Sequence, residues 1–549
     1  MNQRTYGERD SVDFVIVGSG AAGGVLAKEL STAGFDVVVM EQGPWQQPSQ
    51  FSHDELAIER QVAMQNRAFE PNQTFRTTEK DPPKLNVVRG IVYQRAVGGS
   101  SVHFAANYWR FRPIDFKERS KLGSINGTGF ADWPITYEEL EPYYTKVDWE
   151  IGVSGAPGPH DAPRSRPFPM PPLPNKSSGV LLERAAKALG LNAQVAPMAI
   201  ASQPYDGRAA CGACGHCVYY GCEFGAKSSS LVTVIPKAVA TGRCEVRTES
   251  TVFRVETNAQ GRATGVVYWD KNSQERRQSA RAVILAANGA ETARLLLLST
   301  SPAFPHGLAN SSGNVGRYIM FNGYTYTSGR FEHPLNEYKG PTNSRIILDF
   351  YDADPKRGFY GGGGIDARFP VGPIAFAVNA LPDNVPTWGL DYKHALRDYY
   401  THSVRFMSHL TSLPLASNTI TLDADHRDRW GRPGFCLTYQ DHPDDMKTKY
   451  WFRDRTHELM QAAGATNVWN QPVLPADGGV HLLGTARMGN DPRDSVVDRY
   501  HRAHDVPNLF ICDGSSFVTS GRGQPTMTIQ ALAFRAADHI ARFARAHEI

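Results

Sequence analysis

The amino-terminal part of the chain has the clearest pattern of apolar and polar positions. A short apolar run, Phe14–Val17, predicts a buried strand, and the glycine-rich stretch Gly18–Gly23 follows it directly. The next segment, Val25–Ala33, is apolar at helical spacing, and a second apolar run, Val37–Met40, ends on Glu41. The order strand, glycine turn, helix, strand predicts the first unit of a parallel sheet.

The glycines of this turn each have a separate physical use. Gly18 permits the tight turn, Gly20 lets the main chain approach a pyrophosphate, and Gly23 lets helix and strand pack closely. The amides at the helix start and the helix dipole then face the phosphates. Glu41, about 20 residues beyond the turn, can accept hydrogen bonds from a ribose. The segment therefore predicts a dinucleotide-binding fold, because an ordinary glycine-rich turn explains none of this register.

The same apolar patterns predict further elements along the chain. Helices are predicted at Val180–Leu189, Leu231–Ala240, Glu291–Ser299, Asp445–Gly464 with Asp444 as its cap, and Thr526–Ala544. Strands are predicted at Val246–Val255, Thr264–Trp269, Val283–Ala287, Tyr324–Arg330, Arg345–Phe350, Phe376–Leu381, Asn418–Ala424 and Leu509–Cys512. A polar stretch, Pro44–Asn86, predicts a long excursion over the cofactor.

The predicted fold class is α/β. We expect a Rossmann-like cofactor domain built from separated segments, and a substrate domain with a mostly antiparallel sheet covered by helices. The cofactor domain is predicted at 1–155, at 204–318 with the cysteine loop, and at 475–549 with the active site. A proline-rich linker and substrate-domain segment is predicted at 156–203, and the substrate-binding domain at 319–474.

Composition and charge narrow the class of protein. The chain has 549 residues, of which 41% are hydrophobic and 21% charged, an ordinary composition for a globular protein. A net charge of +3 argues against nucleic acid as a partner. The apolar runs are too short for a membrane span. The polar start carries no export signal of its own.

Four of the seven cysteines crowd into one loop, at Cys211, Cys214, Cys217 and Cys222. Their spacing is similar to that of ferredoxins, with one extra residue before the last cysteine and Glu223 where a proline would follow. Thiolates this dense favour an iron–sulfur cluster. A structural zinc ion or no metal at all are the alternatives, although zinc sites usually pair two separated pairs of ligands. The other three cysteines are expected to be packed in the core.

Four stretches, in this order, resemble the glucose-methanol-choline family of flavoprotein oxidoreductases. They are Gly18–Gly23 with Glu41, Gly98–Ser101, Leu285–Leu298, and His481–Gly489 with Asp513–Ala533. Within the family, Pro204–Arg208 and Asp491–Asp498 are similar to the large subunits of bacterial FAD-dependent sugar and gluconate dehydrogenases. The resemblance implies FAD as the cofactor.

The resemblance also implies roles for single residues. His481 is the expected catalytic base, since a neutral imidazole can take a hydroxyl proton at neutral pH. The second active-site position, usually His or Asn, is matched by Gln524, which is expected to orient the substrate hydroxyl. His103 matches a flavin-linked histidine of sugar oxidases, so a covalent bond to FAD is an open alternative to simple packing. The remaining expected cofactor-binding residues are Gly98, Gly99, Ser100, Val252, Asp513 and Thr526.

The cysteine loop matches dehydrogenases that hold a three-iron, four-sulfur cluster. The matching ligands are Cys211, Cys217 and Cys222, and Cys214 could support a fourth iron. The predicted function is oxidation of a hydroxyl of a sugar, sugar acid or glycoside, with electrons leaving through the cluster to a haem protein, and a small partner subunit is expected. Because such a subunit often bears the export signal in the resembling enzymes, the resemblance favours co-export to the periplasm, with a cytoplasmic location as the alternative. Glucose, gluconate, fructose and the 3-position of glucosides are the candidate substrates. The alternatives are a peroxide-forming oxidase and a flavin-carrying assembly subunit without turnover.

Overall fold

The strands form three sheets in a computed structural model that describes residues 4–8, 10–56, 73–85, 91–369, 372–475 and 479–549. In chain order they are β1 Ser11–Val17, β2 Val37–Met40, β3 Gln73–Arg76, β4 Lys84–Leu85, β5 Ala193–Val195, β6 Cys244–Arg247, β7 Thr251–Thr257, β8 Ala263–Trp269, β9 Glu275–Leu285, β10 Gly323–Arg330, β11 Arg345–Ile347, β12 Gly363–Arg368, β13 Ser403–Leu410, β14 Thr419–Arg427, β15 Pro433–Thr438, β16 Asn467–Asn470 and β17 Leu509–Ile511. The predicted excursion Pro44–Asn86 lies partly outside the described residues.

The described α-helices range from short helices of one or two turns to long helices that pack against the core. They are α1 Ala21–Thr32, α2 Glu118–Leu122, α3 Tyr137–Val147, α4 Ser177–Ala188, α5 Val234–Ala240, α6 Gly289–Leu298, α7 Pro373–Asn379, α8 Gly389–His402, α9 Pro443–Ala462 and α10 Pro525–Arg545. In the part of the chain that the structure describes, no helix is long and apolar enough to cross a membrane.

The first sheet is the parallel sheet that the amino-terminal pattern predicts. Its strands run in the order β6-β2-β1-β9-β8-β7, and β17 also pairs with β9. The strands β6, β2, β1, β9 and β17 are parallel, whereas β8 and β7 are added antiparallel. The strand predicted over Val246–Val255 is in fact two, because the chain turns between β6 and β7, where the amide of Ser250 donates to the carbonyl of Glu41.

The second sheet is entirely antiparallel, in the order β16-β10-β13-β12-β11-β5. Strand β13 shows how its two faces differ. Val404, Phe406 and Leu410 belong to an apolar cluster that also contains residues of α4 and α9. Because side chains alternate along a strand, Arg405, Met407 and His409 lie on the opposite face, towards the first sheet. A third sheet, in the order β14-β15-β3-β4, completes the set.

Two details of the predicted middle region are wrong. The segment predicted as the strand Phe376–Leu381 falls mostly in helix α7, because Gly372 and Pro373 start a helix there and the Glu55 carboxylate accepts from the amides of its first turn. The cap of α9 is His442, whose Nδ1 accepts from the amide of Asp444, so Asp444 lies inside the first turn. The predicted domain boundaries stay predictions.

The parallel strands bring the predicted cofactor residues to one edge. Gly18 directly follows β1, Glu41 directly follows β2, and Asp513 lies two residues after the end of β17. The carboxyl ends of parallel strands are where α/β sheets bind ligands. This edge faces the inner face of the antiparallel sheet across a cavity, so the fold places cofactor residues and substrate-domain residues on opposite walls.

Candidate active site

A cavity of about 1070 Å³ lies between the two sheets. Its size exceeds that of typical small-molecule pockets, which suits a dinucleotide together with a substrate. The predicted site residues that line it are Gly18, Gly20, Glu41, Gly99, Ser100, His103, Val252, His481, Asp513, Gln524 and Thr526. Gly23 and Gly98 lie behind this lining, and the four loop cysteines line a separate small cavity.

The cofactor wall is made of glycine main chain in close contact with other main chain. Gly18 has a φ of +99°, and a Cβ there would come within 2.4 Å of the carbonyl oxygen of Ala286. A Cβ at Gly23 would meet the carbonyl oxygen of Gly18 at 1.9 Å, and one at Gly99 would meet Cα of Gly20 at 2.9 Å. Side chains at these positions would collide with neighbouring main chain, so only glycines allow the turns to pack this closely. At Gly20, which lines the cavity, a Cβ would meet no protein atom within 4 Å, so the geometry there fits a ligand that the backbone approaches closely, as the pyrophosphate of FAD requires.

Two buried carboxylates hold the turns around this cradle. Glu41 accepts from the Ser19 amide at 3.1 Å, the Ser19 hydroxyl at 2.6 Å and the Gly43 amide at 2.9 Å. Asp513 accepts from the Thr292 hydroxyl at 2.7 Å and from two main-chain amides. Burial raises the pKa of both carboxyls. Besides any contact with a ribose or ribityl chain, each acid therefore has a structural part in joining turns that are distant in sequence.

His481 lies on the opposite side of the cavity, and its neighbour Asn322 fixes its tautomer. The Nδ1 atom is 2.7 Å from Oδ1 of Asn322 and 2.9 Å from the hydroxyl of Tyr324. The Asn322 amide nitrogen donates to the carbonyl of Leu410, so its oxygen accepts from His481. Nδ1 thus carries the proton and Nε2 is left as the basic nitrogen. Burial, with a smaller contribution from His409, lowers the pKa of His481 to about 3, so the ring is neutral at neutral pH.

Gln524 is oriented by a chain of buried polar groups. Its Nε2 is 2.8 Å from Nδ1 of His409, and His409 Nε2 is 2.8 Å from Oδ2 of Asp366. Burial opposes the charge on Asp366, but Arg368 and His409 outweigh it and lower the pKa of the carboxyl. An ionised carboxylate only accepts, so His409 is protonated on Nε2 and its Nδ1 accepts from Gln524. The amide nitrogen of Gln524 therefore points to His409 and keeps one N–H for another partner.

Matches to known proteins identify the family to which this site belongs. Residues 12–318 and 414–533 match the two parts of GMC oxidoreductase, together covering more than half of the chain. The chain belongs to the GMC oxidoreductase family. The predicted family, the α/β fold class and the class of enzyme, an FAD-dependent oxidoreductase acting on CH–OH groups, are thereby confirmed.

Relatives match nearly the whole of this oxidoreductase. It is 35% identical to 2-methyl-1,2-propanediol dehydrogenase of Mycolicibacterium austroafricanum, over 97% of this chain and 96% of the relative. It is 31% identical to the fructose dehydrogenase large subunit of Gluconobacter japonicus, over 96% of this chain and 98% of the relative. Paromamine 6'-oxidase of Streptomyces fradiae is 30% identical, over 96% of this chain and 91% of the relative.

The loop that carries Gln524 in this oxidoreductase is anchored by a buried arginine. Arg522 is fully buried and pairs with Asp115 at 2.6 Å and with Glu118, at the start of α2. A buried charge without a partner is costly, so Arg522 must stay beside Asp115 and Glu118. These two ion pairs hold the loop against the start of α2. Arg522 thereby sets the position from which Gln524 reaches His409.

His103 lies beside the cysteine loop, on the wall of the large cavity. It lines the large cavity, and its buried Nδ1 has no hydrogen-bond partner among the described residues. Its carbonyl accepts from the amide of Tyr219, in the cysteine loop, at 2.9 Å. Burial, and then the charge of Lys227, lower the pKa of His103 to about 3. An unpaired nitrogen on a ring that lines the cofactor cavity fits a contact with, or a bond to, the cofactor.

The four loop cysteines surround a small cavity beside the flavin site. Lys227 lies against them and donates to the carbonyls of Phe104, Cys217 and Tyr220, at 3.1, 2.7 and 2.6 Å. The donor set, four thiols around one cavity, suits iron–sulfur chemistry. In the described part of the chain, however, no three His, Cys, Asp or Glu side chains are arranged to hold a metal ion. The loop residue next to Cys217, Val218, lines the large cavity, so the two cavities adjoin.

Sequence reasoning missed Asn322, His409 and Asp366. Each lies at or near the end of a strand, and each is polar and almost completely buried. The strand that carries His409, β13, went unpredicted, so its alternation of apolar and polar side chains was not used. That alternation places Arg405 and His409 on one face of β13, and it is the signal that would have predicted a polar face of the antiparallel sheet opposite the cofactor residues.

Proposed function

We propose that this oxidoreductase is a dehydrogenase that oxidises a hydroxyl of a sugar, sugar acid or glycoside. The observation that carries the proposal is the arrangement of His481 and Gln524, which line one cavity and have fixed hydrogen-bonding directions. His481 offers an acceptor at Nε2, and Gln524 offers a donor. A hydroxyl needs both when its proton is removed, since its O–H donates and its oxygen accepts.

His481 is the proposed catalytic base. The Asn322 oxygen accepts a hydrogen bond from the Nδ1–H of His481, so Nε2 is the nitrogen that takes the hydroxyl proton of the substrate. The resulting imidazolium is stabilised on its Nδ1 side by the Asn322 oxygen at 2.7 Å. Gln524 cannot act as a base, and its proposed role is to hold the substrate oxygen through the N–H that His409 leaves unused.

FAD is proposed to lie along the glycine wall. Gly18, Gly20, Gly23, Gly98 and Gly99 shape the cradle, and the other proposed contacts are Glu41, Ser100, Val252, Asp513 and Thr526. When bound, FAD supplies the ring that accepts the hydride from the carbon atom of the substrate.

His103 is proposed to bond to FAD covalently, and its orphaned Nδ1 supports this. If acid precipitation leaves the yellow colour on the polypeptide of the wild-type protein but not on His103→Ala, the assignment is supported. A His103→Ala protein that still holds flavin after precipitation would contradict it.

We further propose that Cys211, Cys217 and Cys222 hold a three-iron cluster, with Cys214 available for a fourth iron. The support is the set of four thiols around one cavity that adjoins the flavin site. Such a cluster would supply one-electron transfer, which haem acceptors need. A haem protein and a small subunit are the proposed partners, as fits a relative that is named a large subunit.

The cluster is tested by iron and acid-labile sulfide in protein purified without air, together with paramagnetic resonance of the oxidised state. Cys217→Ser should lose iron while substrate still bleaches the flavin at a rate within about twofold of wild type. Cys244→Ser, at a buried cysteine in β6, is the matched control and should keep the iron content of wild type. Zinc without iron, or equal iron in Cys217→Ser, would contradict the proposal.

An oxidase that passes electrons to oxygen is the second candidate, and the 30% identical paromamine oxidase favours it. The deciding experiment is anaerobic flavin bleaching with a panel of sugars, sugar acids and glycosides, followed by product analysis. Stoichiometric peroxide on admission of air would favour the oxidase. Slow reaction with oxygen, but fast reaction with a haem acceptor, would favour the dehydrogenase. Absence of bleaching by every hydroxyl compound would contradict both.

A further inference from the structure

The inner face of the antiparallel sheet is arranged in three rows of side chains. Register pairs place Tyr324 beside His409, Tyr326 beside Met407, and Ser328 beside Arg405. Successive rows along a strand are about 7 Å apart. The first row touches the catalytic residues, since Tyr324 lies 2.9 Å from His481 and His409 lies 2.8 Å from Gln524. The third row is the farthest from them.

The third row brings two arginines together. Arg368 and Arg405 are register partners on β12 and β13, so their side chains leave the same face of the sheet. Arg368 lines the cavity and bends back towards the first row, where its Nη2 lies 3.1 Å from His409 Nε2. One imidazole ring therefore separates the Arg368 guanidinium from Gln524.

The charges on this face do not balance. Asp366 is paired with Arg368, through Nε at 2.7 Å and through a shorter bond to Nη2. No carboxylate among the described residues pairs with Arg405. Its Nε reaches only the hydroxyl of Ser328, at 3.5 Å, and its guanidinium lies over the ring of Tyr326, 5.1 Å from the centroid. With His409 neutral, the described residues of this face carry one positive charge in excess.

The environment of Arg405 is unfavourable for a cation. Burial, and then the like charge of Arg368, outweigh the nearby tyrosines and lower the pKa of Arg405 to about 10. An anion placed between the two guanidinium groups would remove this cost, because charge-assisted hydrogen bonds to arginine are strong. The planar guanidinium also suits the two oxygens of a carboxylate or a phosphate.

We propose that Arg405 and Arg368 form a subsite for an anionic group of the substrate, so that the preferred substrates are hydroxyl compounds that carry a carboxylate or a phosphate. The inference rests on the proposed function, because it takes the reacting hydroxyl to lie between His481 and Gln524. The anion then lies a few carbon atoms away, on the far side of the His409 ring. A neutral sugar would leave Arg405 without a counter-charge.

The test uses four compounds with the same six-carbon chain and different end groups. They are glucitol (neutral), gluconate (carboxylate), glucitol 6-phosphate (phosphate) and 1-amino-1-deoxyglucitol (cation). Anaerobic flavin reduction is followed for each, giving a maximal rate and a half-saturating concentration. We expect the half-saturating concentration of at least one anion to lie about tenfold or more below that of glucitol, and that of the amine to be the highest. Whichever anion binds better identifies the preferred group.

Variants then locate the effect. Arg405→Gln should raise the half-saturating concentration of the preferred anion about tenfold or more, with the maximal rate and the values for glucitol changed by no more than about twofold. Arg405→Lys should retain part of the preference, because it keeps the charge. Arg330→Gln, on β10, is the matched control and should behave as wild type, since Asp398 already pairs with Arg330 at 2.6 Å.

Three outcomes would overturn the subsite. One is bleaching by glucitol as readily as by both anions in the wild-type protein. Another is an unchanged preference for anions in Arg405→Gln, and the third is a loss in that variant that is equal for glucitol and for the anions. Each of these leaves the proposed function standing, because hydroxyl compounds still reduce the flavin. Failure of all four compounds and of the wider sugar panel would instead remove the proposed function.

Discussion

The two walls of the large cavity are built from different parts of the chain. The cofactor wall is formed by the main chain of closely packed glycine turns. The packing leaves no room for side chains, since a Cβ at Gly23 would lie only 1.9 Å from the carbonyl oxygen of Gly18. The substrate wall is made of side chains, which include Asn322, His409, His481 and Gln524. A backbone wall tolerates no added atom, because backbone cannot move without moving the sheet. A side-chain wall can lose an atom and keep its fold while its chemistry fails.

Because the two walls are built differently, substitutions in them should affect different properties of the enzyme. The cofactor wall fixes the shape of the cradle through packing close to the turn. The substrate wall fixes directions of hydrogen bonds, because Asn322 determines which nitrogen of His481 is basic and His409 determines which way the amide of Gln524 points. Substitutions on the first wall should therefore act on cofactor binding, and those on the second on the rate of flavin reduction.

The largest effect is expected from Gly23→Ala on the cofactor wall. The new Cβ would collide with the carbonyl of Gly18, so the turn must open and FAD affinity should fall about 100-fold or more. The measurement is the FAD content of purified protein and its recovery on titration with FAD. Gly20→Ala is the control, because a Cβ there meets no protein atom within 4 Å. It should keep the thermal stability of the apoprotein and lose FAD affinity only because the ligand approaches Gly20. Full FAD occupancy in both variants would contradict the backbone cradle.

An effect of similar size is expected from His481→Ala on the substrate wall. The protein should keep bound FAD, whereas anaerobic reduction of the flavin by substrate should slow about 100-fold or more, as loss of a positioned base should cause. Stopped-flow absorbance measures the rate. Asn322→Ala is the graded comparison, since it keeps the base and removes only the acceptor at 2.7 Å that fixes the tautomer. Reduction at a near-normal rate in His481→Ala would assign the base elsewhere.

The cofactor wall could be predicted from the sequence, and the substrate wall only in part. Gly18, Gly23 and Glu41 lie within one short segment, so local spacing alone determines which contacts they make. His409 and Gln524 are 115 residues apart and meet only because β13 pairs with β10 and β12. The residues next to His409 and Gln524 in the sequence do not predict that strand pairing. His481 and Gln524 were reached through a family motif, and no such motif marked their partners.

An intermediate effect is expected from loosening Gln524. Gln524→Ala should lower turnover and raise the apparent substrate constant, together about tenfold in kcat/KM, and Gln524→Asn should lose less. His409→Ala should give a similar loss, because the amide of Gln524 is then free to turn. The two losses should not add in the double variant, since both act through one hydrogen bond of 2.8 Å. Additive losses, or wild-type kinetics for Gln524→Ala, would contradict the orienting role.

The smallest effect is expected from pH, and it tests whether the substrate wall is as dry as its burial implies. Burial lowers the pKa of His481 to about 3, and it also lowers the pKa of His409. A lowered pKa means that the neutral ring persists as the pH falls, so the base should stay active well below the pH of about 6.5 at which a free imidazole gains its proton. With glucitol as a neutral substrate, the rate of anaerobic flavin reduction in the wild-type protein should therefore stay constant from about pH 8 to about pH 5. A break near pH 6.5 would mean that water reaches His481 in the working enzyme. The same measurement on Asn322→Ala sharpens the comparison. The Asn322 oxygen stabilises the imidazolium, so its loss should lower the pKa of His481 further and leave the profile flat. A break near pH 6.5 in that variant alone would show that the truncation lets water reach the ring.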